Sequence, residues 1–377
     1  MTTAPDTPLR KARTDRNWSL AQLVSRIRTT AQRHGFSVAK DESIRRRVIY
    51  WEKGTQAPDD FYLPLLCEIF QCQPADLGYG PAPDPLDALT ADLLQHLDTA
   101  TSVDAELIRM MNLHTDMIRM KDRKLGAHVL AQEMTAHLQQ TEDLLRFGTF
   151  HADRSALAYV LADASALAGW QAIDTGSLRD AWDHFERAKA AGREAGDPMV
   201  LAFATAEQAY VLLDLQRPEP ALQLIQHAHQ ADRAHLPPLI RAWLYAAEAE
   251  AHAALGDQAT ALRAMDAAAG TLPQDSNDPS MPYLALNLVH LSRWRGSVLA
   301  SLGDAEAIED LTQALQGMGS GTFTRAEAGL HCDLAGALIA RGDTTQAREH
   351  IDQARKLVDL AGSARQRRRV DQLALKL

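Results

Sequence analysis

The sequence predicts an all-α protein: a basic five-helix head followed by an α-solenoid of helix hairpins. Three observations predict it. Alanine and leucine dominate and β-branched runs are missing, so strand signals are nearly absent. A hairpin pattern recurs, in which a turn residue (Gly176, Gln216, Gly256, Gly303, Gly342) precedes a small–large–small triplet at helical spacing. The triplets are Ala181/Phe185/Ala188, Ala221/Ile225/Ala228, Ala261/Met265/Ala268, Ala307/Leu311/Ala314 and Ala347/Ile351/Ala354, with leading alanines 40, 40, 46 and 40 residues apart. A fixed period in this range means stacked units, none of which can bury its own apolar face alone. Charge is the third observation. Arg10 to Lys53 carries twelve Lys/Arg against four Asp/Glu, whereas residues 81–377 carry 27 against 40. A basic head on an acidic body, within a net charge of −10, points to a polyanion at one end only.

At 377 residues the chain exceeds one core, and three segments are expected: 9–80, 81–150 and 151–377. Three cysteines (Cys67, Cys72, Cys332) imply no disulfide framework and fit a reducing, cytoplasmic setting. No apolar run approaches the roughly 20 residues of a membrane span and no secretory signal opens the chain, so no membrane partner is expected.

In order, residues 1–8 read as an irregular polar segment. A helix follows over Leu9–Asn17, and a second is N-capped by Ser19 and stopped by Gly35. After the loop FSVAKDE, a third helix runs from Ser43 to Lys53. A fourth spans Pro58 to Phe70, with Pro64 in its first turns, and Gln73–Gly78 forms a short final turn. On the third helix Ile44, Val48 and Trp51 are spaced i, i+4, i+7 and form an inward face. Arg45, Arg46, Ile49, Tyr50 and Lys53 are thereby turned outward. GYGPAPDP (residues 78–85) is a linker, and about three connecting helices follow between Leu86 and Phe147. Five of the ten methionines lie there (Met110, Met111, Met117, Met120, Met134), read as core filling rather than as an adaptable binding surface. The final helix, with its Arg365-Gln-Arg-Arg-Arg run, reads as a cap with a solvated basic face.

The set SLAQLV…IRRRVIYWEKG…PDDFYLPLLCEIFQCQPADLGY resembles the Cro/λ-repressor-like (XRE-type) helix-turn-helix domain over about residues 9–80. Two departures stand out: about a dozen extra residues separate helices two and three, and Leu20 replaces a frequent glutamine. The resemblance implies double-stranded DNA as partner. Arg45, Arg46 and Tyr50 would read bases, and Arg47, Lys53 and the helix-two start at Ser19 would lie at the phosphate backbone. It also implies a pairing of Glu52 with Arg13. The hairpin triplets resemble the second helix of tetratricopeptide repeats, with Gly169 and Gly296 as the small residues that let helices approach. In such a stack the first helices line the concave face, which places Trp170, Phe203, Tyr210, Trp243, Glu250, His290 and Arg293 along it. Trp170, Tyr210, Trp243, Asn287, His290 and Arg293 are the candidate ligand-binding residues, for a peptide, a small molecule or a partner protein.

No Walker loop, HExxH or zinc cysteine pair occurs, GMGSG (317–321) lacks a following lysine, and the fourteen histidines form no ligand set. Neither catalysis nor a cofactor or metal is expected. The architecture resembles the RRNPP regulators, and more closely related actinobacterial regulators of this build: homodimeric, ligand-modulated, DNA-binding transcription factors. A protein-binding adaptor with a degenerate head is the alternative.

Overall fold

The computed structural model describes residues 7–79, 102–150, 153–231, 235–276, 278–284, 286–304, 306–317 and 324–377, with helical geometry also at 90, 93, 94 and 97. The readings of residues 1–6, of the linker beyond Tyr79, of the segment opening at Leu86 and of most of GMGSG lie outside the described residues. Two compact units emerge, Met1–Asp98 and Thr99–Leu377.

The N-terminal unit packs α1 (Pro8–Asp15), α2 (Leu20–Arg33), α3 (Asp41–Glu52), α4 (Tyr62–Phe70) and a 3-10 turn at Pro74–Leu77 around one core. That core holds Leu9, Leu23, Ile27, Ile44, Val48, Trp51, Leu66 and Phe70. Ser19 and Gln22 form a reciprocal capping box, satisfying two N–H groups that the helix start would leave orphaned. α4 begins at Tyr62, four residues later than the Pro58 start expected, because Asp59 Oδ1 accepts from the N–H groups of Phe61 and Tyr62 at 3.2 and 3.0 Å. The long connection between α2 and α3 is anchored at several points. Gly35 turns at φ 71°, the Phe36 N–H donates to the Ala31 carbonyl, and the Phe36 ring meets Phe61 edge-on at 5.6 Å.

The second unit is all-α among its described residues, apart from a parallel bridge pairing Ser102–Val103 with Thr149–Phe150. Two helices, α5 (Ala105–Leu125) and α6 (Ala131–Phe147), precede five hairpins. These are α7 (Arg154–Thr175) with α8 (Leu178–Ala195), α9 (Pro198–Asp214) with α10 (Pro218–Ala231), α11 (Pro238–Ala254) with α12 (Gln258–Thr271), α13 (Leu288–Ser301) with α14 (Ala307–Gly317), and α15 (Thr324–Arg341) with α16 (Thr344–Ala361). α17 (Ala364–Ala374) ends the chain. Each hairpin turns on a left-handed residue, at φ 86°, 58°, 76°, 75° and 87° for Gly176, Gln216, Gly256, Gly303 and Gly342. Gln216 accepts the strain that glycine avoids. All fifteen triplet residues are buried. A Cβ on Gly169 would lie 2.7 Å from the Phe185 ring and one on Gly296 2.6 Å from Leu311 Cγ, so both glycines set the helix separation. The helix-hairpin stack expected of tetratricopeptide-like repeats is therefore present.

One expectation about the membrane needs correction: α7 is long and apolar enough to cross one, by length and composition. Of its most apolar window, 78% is buried inside the unit, where α7 packs on α5, α6, α8 and α9.

Successive hairpins bring the end of the stack back to its beginning. α15 and α16 touch α5, and α17 packs on α7, so the helices close into a ring. Closure is intimate: Gly126, at φ 81°, lies so near the Ala361 carbonyl that a Cβ there would overlap it. Behind α5, His137 is buried with Nε2 2.8 Å from Thr115 Oγ1. Burial, with His114 alongside, lowers its pKa to about 4. Since the unfolded imidazole titrates near 6.5, the unfolded chain alone takes up this proton between the two values. Stability contributed above pH 6.5 is therefore lost on acidification, at about 1.4 kcal/mol per pH unit. Denaturant unfolding of His137→Asn between pH 7 and 4.5 should show that slope removed; an unchanged slope would count against it.

Candidate functional site

On α3, Ile44, Val48 and Trp51 face the core as expected, and Arg45, Arg46, Arg47, Tyr50 and Lys53 are exposed. The helix is held by Glu52, whose carboxylate accepts a two-pronged pair from Arg13 at 2.6 and 2.9 Å. Arg13 also donates to the Trp18 carbonyl at 2.6 Å, tying α1, the start of α2 and the end of α3 together. Arg47 leans back on its own unit, over the Tyr62 ring at 5.2 Å and 3.5 Å from Asp59. Arg45, Arg46 and Lys53 make no described ion pair, leaving an exposed cationic helix face. Ser19 is exposed with its hydroxyl engaged in the capping box, and Leu20 packs partly on the core.

In the ring, the first helices of the hairpins face one cavity of about 660 Å³. Trp170, Tyr210, Trp243, His290 and Arg293 line it together with Phe203 and Glu250, so the sequence-derived concave face is assembled there. Asn287 is the exception and is corrected: it is the exposed N-cap of α13, its side chain accepting the His290 N–H at 2.9 Å. A capping residue starts the helix and projects outside the face that the following turns present.

The sequence reading missed the polar lining. Arg119 grips Asp163 through both carboxylate oxygens at 2.6 Å. Arg325 bridges Asp122 and Asp174, Arg365 forks onto Asp214 at 2.8 to 3.1 Å, and Arg369 reaches Asp333. Ser363 donates to Asp174 from the α17 side. The solvated-face reading of residues 365–369 is thus overturned for Arg365 and Arg369, four apart on one face of α17, while Arg367 and Arg368 remain exposed. Burial raises the carboxyl pKa values of Asp122 and Asp163, and the arginines beside them partly offset it.

Two further carboxyls face the cavity. Glu250 accepts from the Tyr210 hydroxyl at 2.6 Å, and burial raises its pKa against the pull of that bond and of Arg293 and Arg365. Glu207 is pushed well above the usual carboxylate range by burial and the nearby Asp163. Aromatic rings form the floor, with Phe203 5.0 Å from Trp243 and 4.5 Å from Tyr283, and Trp243 6.4 Å from Trp294. Among the described residues no three His, Cys, Asp or Glu side chains could jointly hold a metal ion.

The outer side of α5 is a third feature. Met110, Leu113, Met117 and Met120 are 58, 54, 49 and 57% exposed and spaced three, four and three residues apart. The core-filling reading is correct for Met111 and Met134, which are buried, and wrong for these three methionines. The reason is that α5 is apolar on two faces, with Ile108, Met111, Thr115 and Ile118 facing inward.

No protein-family model and no curated protein matches the sequence. Among solved structures, the chain is similar to kinesin-light-chain TPR-like repeats from Podosopora anserina and to a point variant of them. Both are 16% identical, with TM-scores of 0.34 and 0.35. The matches cover 52 and 55% of this chain and 93 and 97% of those chains.

Proposed function

We infer that the protein is a ligand-modulated, sequence-specific DNA-binding regulator. The observation that carries this reading is the α3 surface: an exposed cationic face opposite a fully buried apolar one, on a helix fixed at its end by the Arg13–Glu52 fork. Arginines on such a face reach guanine O6 and N7 bidentately, while the remaining cations meet phosphates. The cavity in the repeat ring serves as the effector site, because it joins aromatic surface to a few polar groups at a volume suited to a small ligand. The protein acts as a homodimer in the cytoplasm. The 3-4-3 stripe of Met110, Leu113, Met117 and Met120 supports dimerisation, since this spacing is the seam along which two helices interlock. Being one patch on one chain, it can meet its own copy across a two-fold axis.

The test uses a DNA fragment selected by the protein from a random pool. Arg46→Ala should weaken binding by about 1–3 kcal/mol and relax preference at one base position. Arg47→Ala should weaken binding to all sequences alike and flatten the salt dependence. If Arg46→Ala leaves both affinity and preference unchanged, α3 does not read the DNA.

A further inference from the structure

Most charges around the ring's cavity answer one another within the protein; besides the exposed Arg368, two of opposite sign that are partly buried do not. Glu207, on α9, has neither a hydrogen bond nor an ion pair among the described residues. Arg293, on α13, has its Nε shut away from water with no hydrogen-bond partner. Its guanidinium lies near Trp294, 5.8 Å from the ring centroid, and it influences Glu250 without bonding to it. The Tyr283 hydroxyl, in the same lining, is also buried and unpartnered. Both charges share the cavity lining with the aromatic floor. Phe203 stands one turn before Glu207 on α9, Trp243 lies beside Phe203, and Trp294 follows Arg293.

Leaving a carboxyl and a guanidinium unanswered in a partly dry cavity is costly, because each loses hydration and gains no partner. One occupant can satisfy both. The geometry points to a small amphoteric ligand in this cavity: an apolar or aromatic body lies on Trp243, a protonated amine meets Glu207, and a carboxylate meets Arg293. The amine draws Glu207 into its ionised form and is favoured by the faces of the surrounding rings. The carboxylate takes the guanidinium fork. A purely anionic ligand leaves Glu207 unanswered, and a purely cationic one leaves Arg293 so. A volume of about 660 Å³ holds a modified amino acid or a short peptide with free ends. This inference rests on the cavity being the effector site.

The test is a binding screen on the full chain, read by thermal shift and isothermal titration. Its compounds share matched aromatic bodies and fall into amphoteric, amine-only, acid-only and neutral sets. Each set contains single molecules and two-to-four-residue peptides with free or blocked ends, which separates the two sources of the same chemistry. The amphoteric set should bind best. Glu207→Gln and Arg293→Gln should each weaken its members by roughly tenfold or more. Amine-only compounds should respond to Glu207→Gln but not to Arg293→Gln. Equal binding by amine-only, acid-only or neutral compounds, indifference to Glu207→Gln in a folded variant, or no binding by any set would overturn the inference. DNA retention is measured alongside. Neutral or anionic binders that alter it overturn the ligand class and leave the regulatory reading intact. Amphoteric binders that never alter it support the ligand class and remove the regulatory reading.

Discussion

Arg325→Ala is expected to destabilise the repeat ring by about 3–5 kcal/mol, the cost of breaking a buried ion pair from one side. Arg325 comes from α15, near the end of the stack, and bridges Asp122 of α5 and Asp174 at the end of α7. Both carboxylates are buried, so removing the guanidinium strands them with little hydration and without the cation that bridges them. Gln171 donates to Asp122 and Ser363 to Asp174, and these neutral groups cannot replace the lost charge. Denaturant unfolding should show the loss. The companion variant Asp122→Asn/Asp174→Asn/Arg325→Met should recover much of it, because replacing a whole buried ionic cluster costs far less than breaking it. A loss below about 1 kcal/mol for Arg325→Ala would mean that the closure rests on apolar packing alone.

In the homodimer proposed above, Met117→Asp should convert dimer to monomer. The residue sits in the middle of the exposed α5 stripe, so a carboxylate there would face its symmetry mate's apolar stripe and, near the axis, its own copy. Burying it unpaired raises the dimer dissociation constant by about 100-fold or more. The exposed side chain makes little contribution to the monomer, whose fold should be unaffected. Sedimentation at micromolar concentration reads the change directly, and tight binding to a two-half-site fragment should fall with it. A variant that still sediments as a dimer would place the interface elsewhere.

The repeats were legible in the sequence because each hairpin obeys a local rule. A left-handed turn and a small–large–small triplet leave their mark within a dozen residues, as at Gly256, Ala261, Met265 and Ala268. The concave aromatics followed from the same register, and Trp170, Tyr210 and Trp243 meet in the cavity for that reason. Asn287 went astray because spacing by threes with His290 and Arg293 was read as a shared face, whereas Asn287 is the N-cap that precedes the helix. Ring closure was not legible. It joins Asp122 to Arg325 across about two hundred residues, and no local pattern records such a distance. The i, i+4 spacing of Arg365 and Arg369 was a signal available in advance, since it puts both on one face of α17. The acids they meet, Asp214 and Asp333, lie too far away in sequence to be matched with them. Likewise the exposed methionine stripe is hidden in the composition of α5, where two apolar faces overlap in one helical pattern.

Selection of DNA by the full chain from a randomised pool tests the regulatory reading most directly. Enrichment of an inverted repeat is expected, with half-sites about one helical turn, or a multiple of it, apart. The same selection with Arg45→Ala/Arg46→Ala should lose that sequence. A pool that emerges from the wild-type protein without enrichment, or an enrichment that survives the double substitution, would contradict the account.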